Sequence, residues 1–222
     1  MAWYFWMALA ALLVCALQFI VKLIRLVKRG APKDLSTPKG KVSAGVLYSA
    51  TVAMMPQNKE SAYLHLPTYV AGILYHIGTF LSLLLFVWIF VAFAIGIYTP
   101  NDTIAIYPEY LRIGHIVAAC ILFVAAGSGI SVLIKRLINK ELRFFSSFDD
   151  YFSNFITTAM QLATAIFLLY PQTIIWYCVV MTLAFLWMPV GKTKHALYFF
   201  AARYHLGFFY GRRGVWPPAK IH

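Results

Sequence analysis

Residues 72–97 read GILYHIGTFLSLLLFVWIFVAFAIGI, an apolar run that contains one imidazole, His76, and no Lys, Arg, Asp or Glu. A run of this length can cross the hydrocarbon core of a bilayer as a helix. The whole chain has the same character, because 62% of its 222 residues are apolar and 12% are charged. These values predict an all-α integral membrane protein.

Five apolar runs predict a bundle of five transmembrane helices that forms a single domain, residues 1–222. The first run lacks a preceding basic segment, so we expect a retained helix and not a cleaved signal peptide. The predicted spans are 3–25, 68–97, 111–134, 152–170 and 173–190.

The positions of the basic residues predict the orientation of the bundle. The formal net charge of +12 could indicate nucleic-acid binding, but the Lys and Arg residues lie beside the apolar runs. All of them except Arg112 fall on one side of the predicted bundle. Since cytoplasmic loops are rich in Lys and Arg, we expect the N-terminus outside, the C-terminus in the cytoplasm, and the lipid bilayer instead of nucleic acid as partner.

Two connecting segments are apolar without being long enough to span. AGVLYSATVAMMP (44–56) is expected to lie on the membrane surface or to pack against a partner. The tail 192–218 mixes basic and aromatic residues and predicts an interfacial helix that ends near Gly211 and either adheres to the membrane or docks a partner. Aromatic residues expected to anchor at the membrane interface are Tyr98, Tyr107, Tyr110, Trp176 and Trp187.

Small residues in the third span, AAGSG (125–129), favour close helix packing, and they also leave room for the face of a porphyrin. Cys15, Cys120 and Cys178 each stand alone in an apolar run, which is typical of core packing.

His76 and His195 are candidate ligands of one haem iron. His76 lies about 10–13 Å inside the predicted inner boundary at 1.5 Å per residue, and His195, just beyond the fifth run, lies near the same boundary. Two imidazoles on different helices suit a six-coordinate b-type haem, whose propionates Lys192 or Lys194 would meet. The alternative for His76 is a helix–helix hydrogen bond.

His115 lies on the outer side, roughly 15–20 Å in depth from His76, so the two cannot share an iron. Three roles stay open for His115: ligand of a second haem, hydrogen-bonding partner of a quinone, or structural cap of a loop. His65 and His205 are expected to pack at the surface or an interface, and His222 is terminal.

Two motifs carry a family resemblance. LYHIG (74–78) resembles the second-helix haem motif of the gamma subunit of respiratory nitrate reductase, and PVGKTKH (189–195) resembles the last-helix pattern of that family, Pro-x-x-basic-x-x-His. The resemblance implies that His76 and His195 ligate the haem b nearer the cytoplasm. The family's two further ligand positions hold Phe86 and Tyr177, which implies that the outer haem is absent or rebuilt around His115.

The basic first loop and the tail resemble a sub-branch of this family, the membrane subunits of sulfate-reducer transmembrane redox complexes, with the E subunit of the high-molecular-weight cytochrome c complex nearest in size. This implies an electron-transfer subunit in a bacterial or archaeal cytoplasmic membrane, where menaquinol oxidation or reduction stays open. Its implied partners are a cytoplasmic iron–sulfur subunit of the heterodisulfide-reductase type, other membrane subunits and an outer multihaem cytochrome c. The alternative is a non-redox membrane anchor.

Overall fold

The computed structural model describes residues 2–30, 34–100 and 105–218, apart from the side chains of residues 60, 61, 99, 100 and 105. Within these residues the regular secondary structure is helical, apart from one antiparallel pair of two-residue strands, β1 (Thr99–Pro100) and β2 (Ala105–Ile106). The helices are α1 (Trp3–Arg29), α2 (Val42–Ala50), α3 (Glu60–Leu64), α4 (Leu66–Ala94), α5 (Arg112–Ile138), α6 (Lys140–Phe144), α7 (Phe148–Leu169), α8 (Ile174–Trp187) and α9 (His195–Arg212).

Four segments of the described chain are long and apolar enough to cross a membrane: α1, α4, α5 with its preceding turn, and α7. These confirm the first four predicted spans. The fifth prediction, 173–190, covers α8, which has only 14 residues. It passes the same test only together with Lys192–Arg212 across a short break, so the count is four or five.

The chain divides into two compact units. The bundle unit comprises Met1–Leu17 and Pro67–Thr193, and the tail unit comprises Gln18–Leu66 and Lys194–His222. Two compact units can belong to one domain, so the single-domain organisation stays a prediction. The orientation across the membrane stays a prediction as well.

The bundle unit is held together by polar side chains inside the helix interfaces. Gln161 of α7 is fully buried. Its amide donates to the carbonyl of Tyr75 at 3.0 Å and to the hydroxyl of Thr79 at 2.9 Å, both on α4. Without water in a bilayer, such interhelical bonds satisfy groups that would otherwise destabilise the fold.

Small residues bring α5 close to its neighbours. A Cβ added at Gly129 would lie 2.5 Å from the Thr158 hydroxyl, and one added at Gly78 of α4 would collide with Ala125. Side chains larger than hydrogen at these two positions would push the helices apart. The close-packing interpretation of AAGSG (125–129) is therefore confirmed.

In the tail unit, α2 packs directly on α9 through glycines. A Cβ on Gly207 would lie 2.5 Å from the Cα of Val46, and one on Gly45 would lie 2.5 Å from the Gly207 carbonyl. Beside this contact the Ser49 hydroxyl donates to the Arg203 carbonyl at 2.7 Å, and the Arg203 Nε donates to the Ser49 carbonyl at 2.9 Å. The apolar segment 44–56 thus has α9 of its own chain as packing partner.

The end of α9 is fastened by its arginines. The helix ends at Arg212, close to the predicted Gly211. The Arg212 guanidinium donates to the Ser36 carbonyl at 2.8 and 3.0 Å. Arg213 forms an ion pair with Asp34 at 2.8 Å, and this hydrogen-bonded guanidinium holds the pKa of that carboxyl well below its usual range.

Replacing Gly207 with Ala tests the α2–α9 contact. We expect the free energy of unfolding of the detergent-solubilised protein to fall by about 1–3 kcal/mol, because the new methyl group meets backbone and not a flexible side chain. Circular dichroism during chemical unfolding measures the change. The matched control is Gly127→Ala on α5, where nothing lies within 4 Å of the added Cβ, and which should leave stability unchanged or raise it by up to about 1 kcal/mol. Equal effects of the two substitutions would contradict the proposed packing.

Candidate functional site

His76 lies on α4 with an exposed side chain. Its Nδ1 is 2.6 Å from the carbonyl oxygen of Gly72, one turn earlier. A carbonyl can only accept, so Nδ1 carries the proton in this bond and Nε2 carries the lone pair. Histidines that ligate metals almost always donate their other ring N–H in this way, which fixes the ring and its tautomer. The side chain therefore fits the role of an axial ligand.

His195 is the first residue of α9 and is also exposed. It belongs to the tail unit, whereas His76 belongs to the bundle unit. The ligand role of His195 and its pairing with His76 on one iron stay predictions. His65 and His205 are exposed as expected, and His222 lies outside the described residues.

The segment that precedes His195 is bound to the start of α7. The backbone N–H of Lys192 donates to Asp149 at 2.9 Å, and its ammonium donates to Asp150 at 2.5 Å. Arg136 of α5 pairs with the same Asp150 at 2.9 Å. The Lys192 ammonium is thus engaged by a carboxylate, so Asp150 competes with the propionate role predicted for Lys192. For Lys194 that role stays a prediction.

His115 lies at the end of the bundle unit that is opposite Asp150. It is enclosed there, with only 6% of its surface exposed. Its Nε2 lies 2.6 Å from the Tyr98 hydroxyl. The Tyr107 ring packs edge-on against the imidazole with 4.4 Å between ring centroids, and its hydroxyl donates to the Leu168 carbonyl at 3.1 Å. The Nδ1 atom is buried and has no hydrogen-bond partner among the residues that the structure describes.

The connection between α4 and α5 brings both tyrosines to His115. The chain turns after α4 at Gly96, whose φ of +78° is in the left-handed region that glycine adopts without strain. The Tyr98 N–H donates to the Ala92 carbonyl at 3.0 Å, and β1 and β2 follow. Burial raises the pKa of the Tyr98 phenol to about 12. The predicted role of Tyr98 as an interface anchor is wrong, because it is 1% exposed.

This arrangement favours one of the three roles left open for His115. A second haem iron at Nε2 would have to displace the Tyr98 hydroxyl and the Tyr107 ring, and the haem and quinone roles stay predictions. The observed hydrogen bond ties the α4–α5 connection to α5, which is the structural role. A buried Nδ1 without any partner would cost about 1–3 kcal/mol, which natural proteins tolerate at functional positions.

Phe86 and Tyr177, at the two further ligand positions of the resembled family, are core residues. They are 3% and 1% exposed, with ring centroids 6.1 Å apart. Phe86 packs against Phe185 at 4.9 Å, and Tyr177 stacks on Phe167 at 4.7 Å. Since the phenyl ring of Phe86 has no donor atom for iron, this pair of residues does not supply two ligands to a second haem.

Sequence reasoning did not single out Tyr98 or Tyr107 as members of a buried cluster. The sequence feature that could have indicated the cluster is the placement of Tyr98 before, and Tyr107 after, the segment TPNDT (99–103). Both lie shortly before the span that carries His115.

Comparison with protein-family models found no match, and neither the curated proteins nor the solved structures include a match to this chain. The family resemblance therefore stays a prediction.

The Tyr98→Phe substitution tests the buried pair at two pH values. At neutral pH we expect a loss of about 1–3 kcal/mol in the free energy of unfolding, because the variant leaves the buried Nε2 without a partner. Above pH 10 we also expect the free energy of unfolding to depend on pH through the ionisation of Tyr98. Below the ordinary pKa of 10.0, Tyr98 is protonated in the folded and unfolded chains; between about 10 and about 12 only the unfolded chain loses this proton, so stability falls as pH rises.

Chemical unfolding at pH 7 and across pH 9–12 would measure both parts. Tyr98→Phe should remove its share of the alkaline loss. Tyr110→Phe is the control, because Tyr110 is 74% exposed and its substitution removes a phenol hydroxyl without changing a buried site. An unchanged alkaline slope in Tyr98→Phe would show that Tyr98 is not buried as described.

Proposed function

We propose that this chain is the haem b-binding membrane subunit of a respiratory redox complex. It would relay electrons between a quinone pool or an outer multihaem cytochrome c and a cytoplasmic iron–sulfur subunit of the heterodisulfide-reductase type, in a bacterial or archaeal cytoplasmic membrane. One observation carries the proposal: His76 stands on an apolar spanning helix with Nδ1 bonded to the Gly72 carbonyl, so that Nε2 is the nitrogen with the lone pair.

The cost of a polar ring in hydrocarbon supports a functional role for His76. Ionisable residues within spans are rare and mark functional sites. The residues around it, among them Leu74 and Ile77, are apolar and would exclude water from a bound macrocycle. The bond to Gly72 holds the imidazole in the tautomer that an iron requires.

His195 is the second ligand in this proposal, on the strength of the PVGKTKH pattern and its predicted depth. A haem held by two imidazoles is six-coordinate and supplies one-electron transfer when bound. The chain itself contributes the two ligands and an apolar wall. Lys192, three residues before His195, donates to Asp149 and Asp150, which fixes the segment that precedes α9.

One haem is proposed, not two. The donor-free Phe86 and the enclosed His115 support this number, as described above. Any menaquinone site is proposed near the outer end, around His115, whose imidazole could exchange a proton with a quinol hydroxyl. The other membrane subunits and the direction of electron flow belong to the complex as a whole.

The second candidate function is a membrane anchor without redox chemistry. The contact between α2 and α9 favours an anchor role. The Arg203 guanidinium there donates to the Ser49 carbonyl, so this cation stabilises the fold. An anchor needs no haem. An anchor would therefore be colourless, whereas a haem-binding subunit would absorb visible light.

The absorption spectrum of the purified full-length protein, expressed with sufficient haem, separates the candidates. We expect a dithionite-reduced alpha band typical of haem b, and its loss in both His76→Ala and His195→Ala, because each removes one axial ligand. The matched control is His205→Ala, since His205 is an exposed histidine on the same helix as His195.

A colourless wild-type protein would favour the anchor. A band that survives in either ligand variant would show that the assignment of that ligand is wrong, and a band lost in His205→Ala would move the second ligand from His195 to His205.

A further inference from the structure

The cytoplasmic end predicted for α1 carries four cations on one stripe: Lys22, Arg25, Lys28 and Arg29. At 100° per residue they fall within an arc of about 120° over the last two turns of the helix. Arg25, Lys28 and Arg29 are exposed, and Lys22 is half-buried. We call these four residues the α1 stripe.

The α1 stripe is not neutralised by the side chains that the structure describes. Asp34 pairs with Arg213, Glu109 with Arg112, and Asp150 with both Arg136 and Lys192. No described ion pair or hydrogen bond involves a side chain of the stripe. Four neighbouring positive charges repel one another, so a negative partner at this position is favourable.

The length of α1 places the stripe at the level of lipid headgroups. Residues 3–21 contain no charged side chain and extend about 28 Å at 1.5 Å per residue. This matches the hydrocarbon core of about 30 Å. The helix continues to Arg29, so its last two turns emerge from the core into the interfacial layer.

We infer that the α1 stripe binds the phosphate headgroups of anionic phospholipids. Guanidinium groups bind phosphate oxygens in pairs, and each cation near an anionic surface strengthens binding. The opposite side of the same two turns favours lipid over an acidic protein. There Leu23, Ile24 and Val27 are exposed, as suits a helix end surrounded by acyl chains.

This inference is independent of the proposed function. It needs no haem and no partner subunit, only the charge, exposure and length of α1. The tail arginines cannot take the same role easily, because Arg203, Arg212 and Arg213 are engaged with Ser49, Ser36 and Asp34.

The test measures how tightly the full-length protein retains phosphatidylglycerol or phosphatidylcholine in detergent micelles, by native mass spectrometry during lipid titration. The variant Lys28→Gln/Arg29→Gln keeps Lys22 and Arg25, so that insertion and orientation are preserved. We expect its affinity for phosphatidylglycerol to fall roughly 30-fold, with no change for phosphatidylcholine.

The matched control is Lys140→Gln/Arg143→Gln, which removes two exposed cations from α6. It should change phosphatidylglycerol binding less than threefold. Equal losses in both variants would mean that any exposed cation contributes equally to lipid binding. An unchanged affinity in Lys28→Gln/Arg29→Gln would leave an acidic protein as the partner of the α1 stripe. Either result overturns the inference. The alpha band is a separate readout, so failure of the haem proposal leaves this result interpretable.

Discussion

The absence of water from a bilayer is the constraint on which the bundle unit depends, because a polar group there has to find its partner within the protein. Gln161 shows the principle: its amide joins α7 to the Tyr75 carbonyl and the Thr79 hydroxyl of α4. Thr157 and Thr164 instead donate to carbonyls one turn earlier on their own helix. The same rule applies to the imidazoles: Nδ1 of His76 bonds to the Gly72 carbonyl, and Nε2 of His115 bonds to the Tyr98 hydroxyl.

Close backbone contact organises the tail unit in a different way. Gly45 and Gly207 let α2 and α9 meet without intervening side chains. Beside this contact, Arg203 of α9 donates a hydrogen bond to the Ser49 carbonyl of α2. The guanidinium groups of Arg212 and Arg213 then fix residues 34–36 to the end of α9. Positive charge in this unit therefore has two physical roles. The arginines of α9 stabilise the fold, and the cations of α1, which no described side chain neutralises, are the ones proposed to bind lipid.

The sequence predicted the four long spans because a charge-free run of that length has few other structures available. The fifth stays open: α8 ends at Trp187, before Pro189 and the tightly packed Gly191, and it is long enough to span only together with Lys192–Arg212. Contacts between residues that lie far apart in the sequence could not be predicted from local sequence patterns. The inward-facing arginines of α9 looked like a basic surface, since nothing local distinguishes a guanidinium that binds a carbonyl from one in solvent. Tyr98 likewise looked like an interface anchor, because its partner His115 lies in the next span.

His76 and His115 had the same appearance in the sequence, one imidazole in each apolar run, and their surroundings now separate them. His76 is exposed, and the chain uses its Nδ1 to fix the ring. His115 is enclosed, and the chain uses its Nε2, the nitrogen that an iron more often takes, to hold Tyr98. The proposed ligand role suits the first arrangement, because the bond on Nδ1 fixes the ring and places the lone pair on Nε2. A structural role suits the second, in which Nε2 holds Tyr98. The bond that each ring makes within the protein, and not the presence of the ring alone, is therefore the basis on which the two proposals differ.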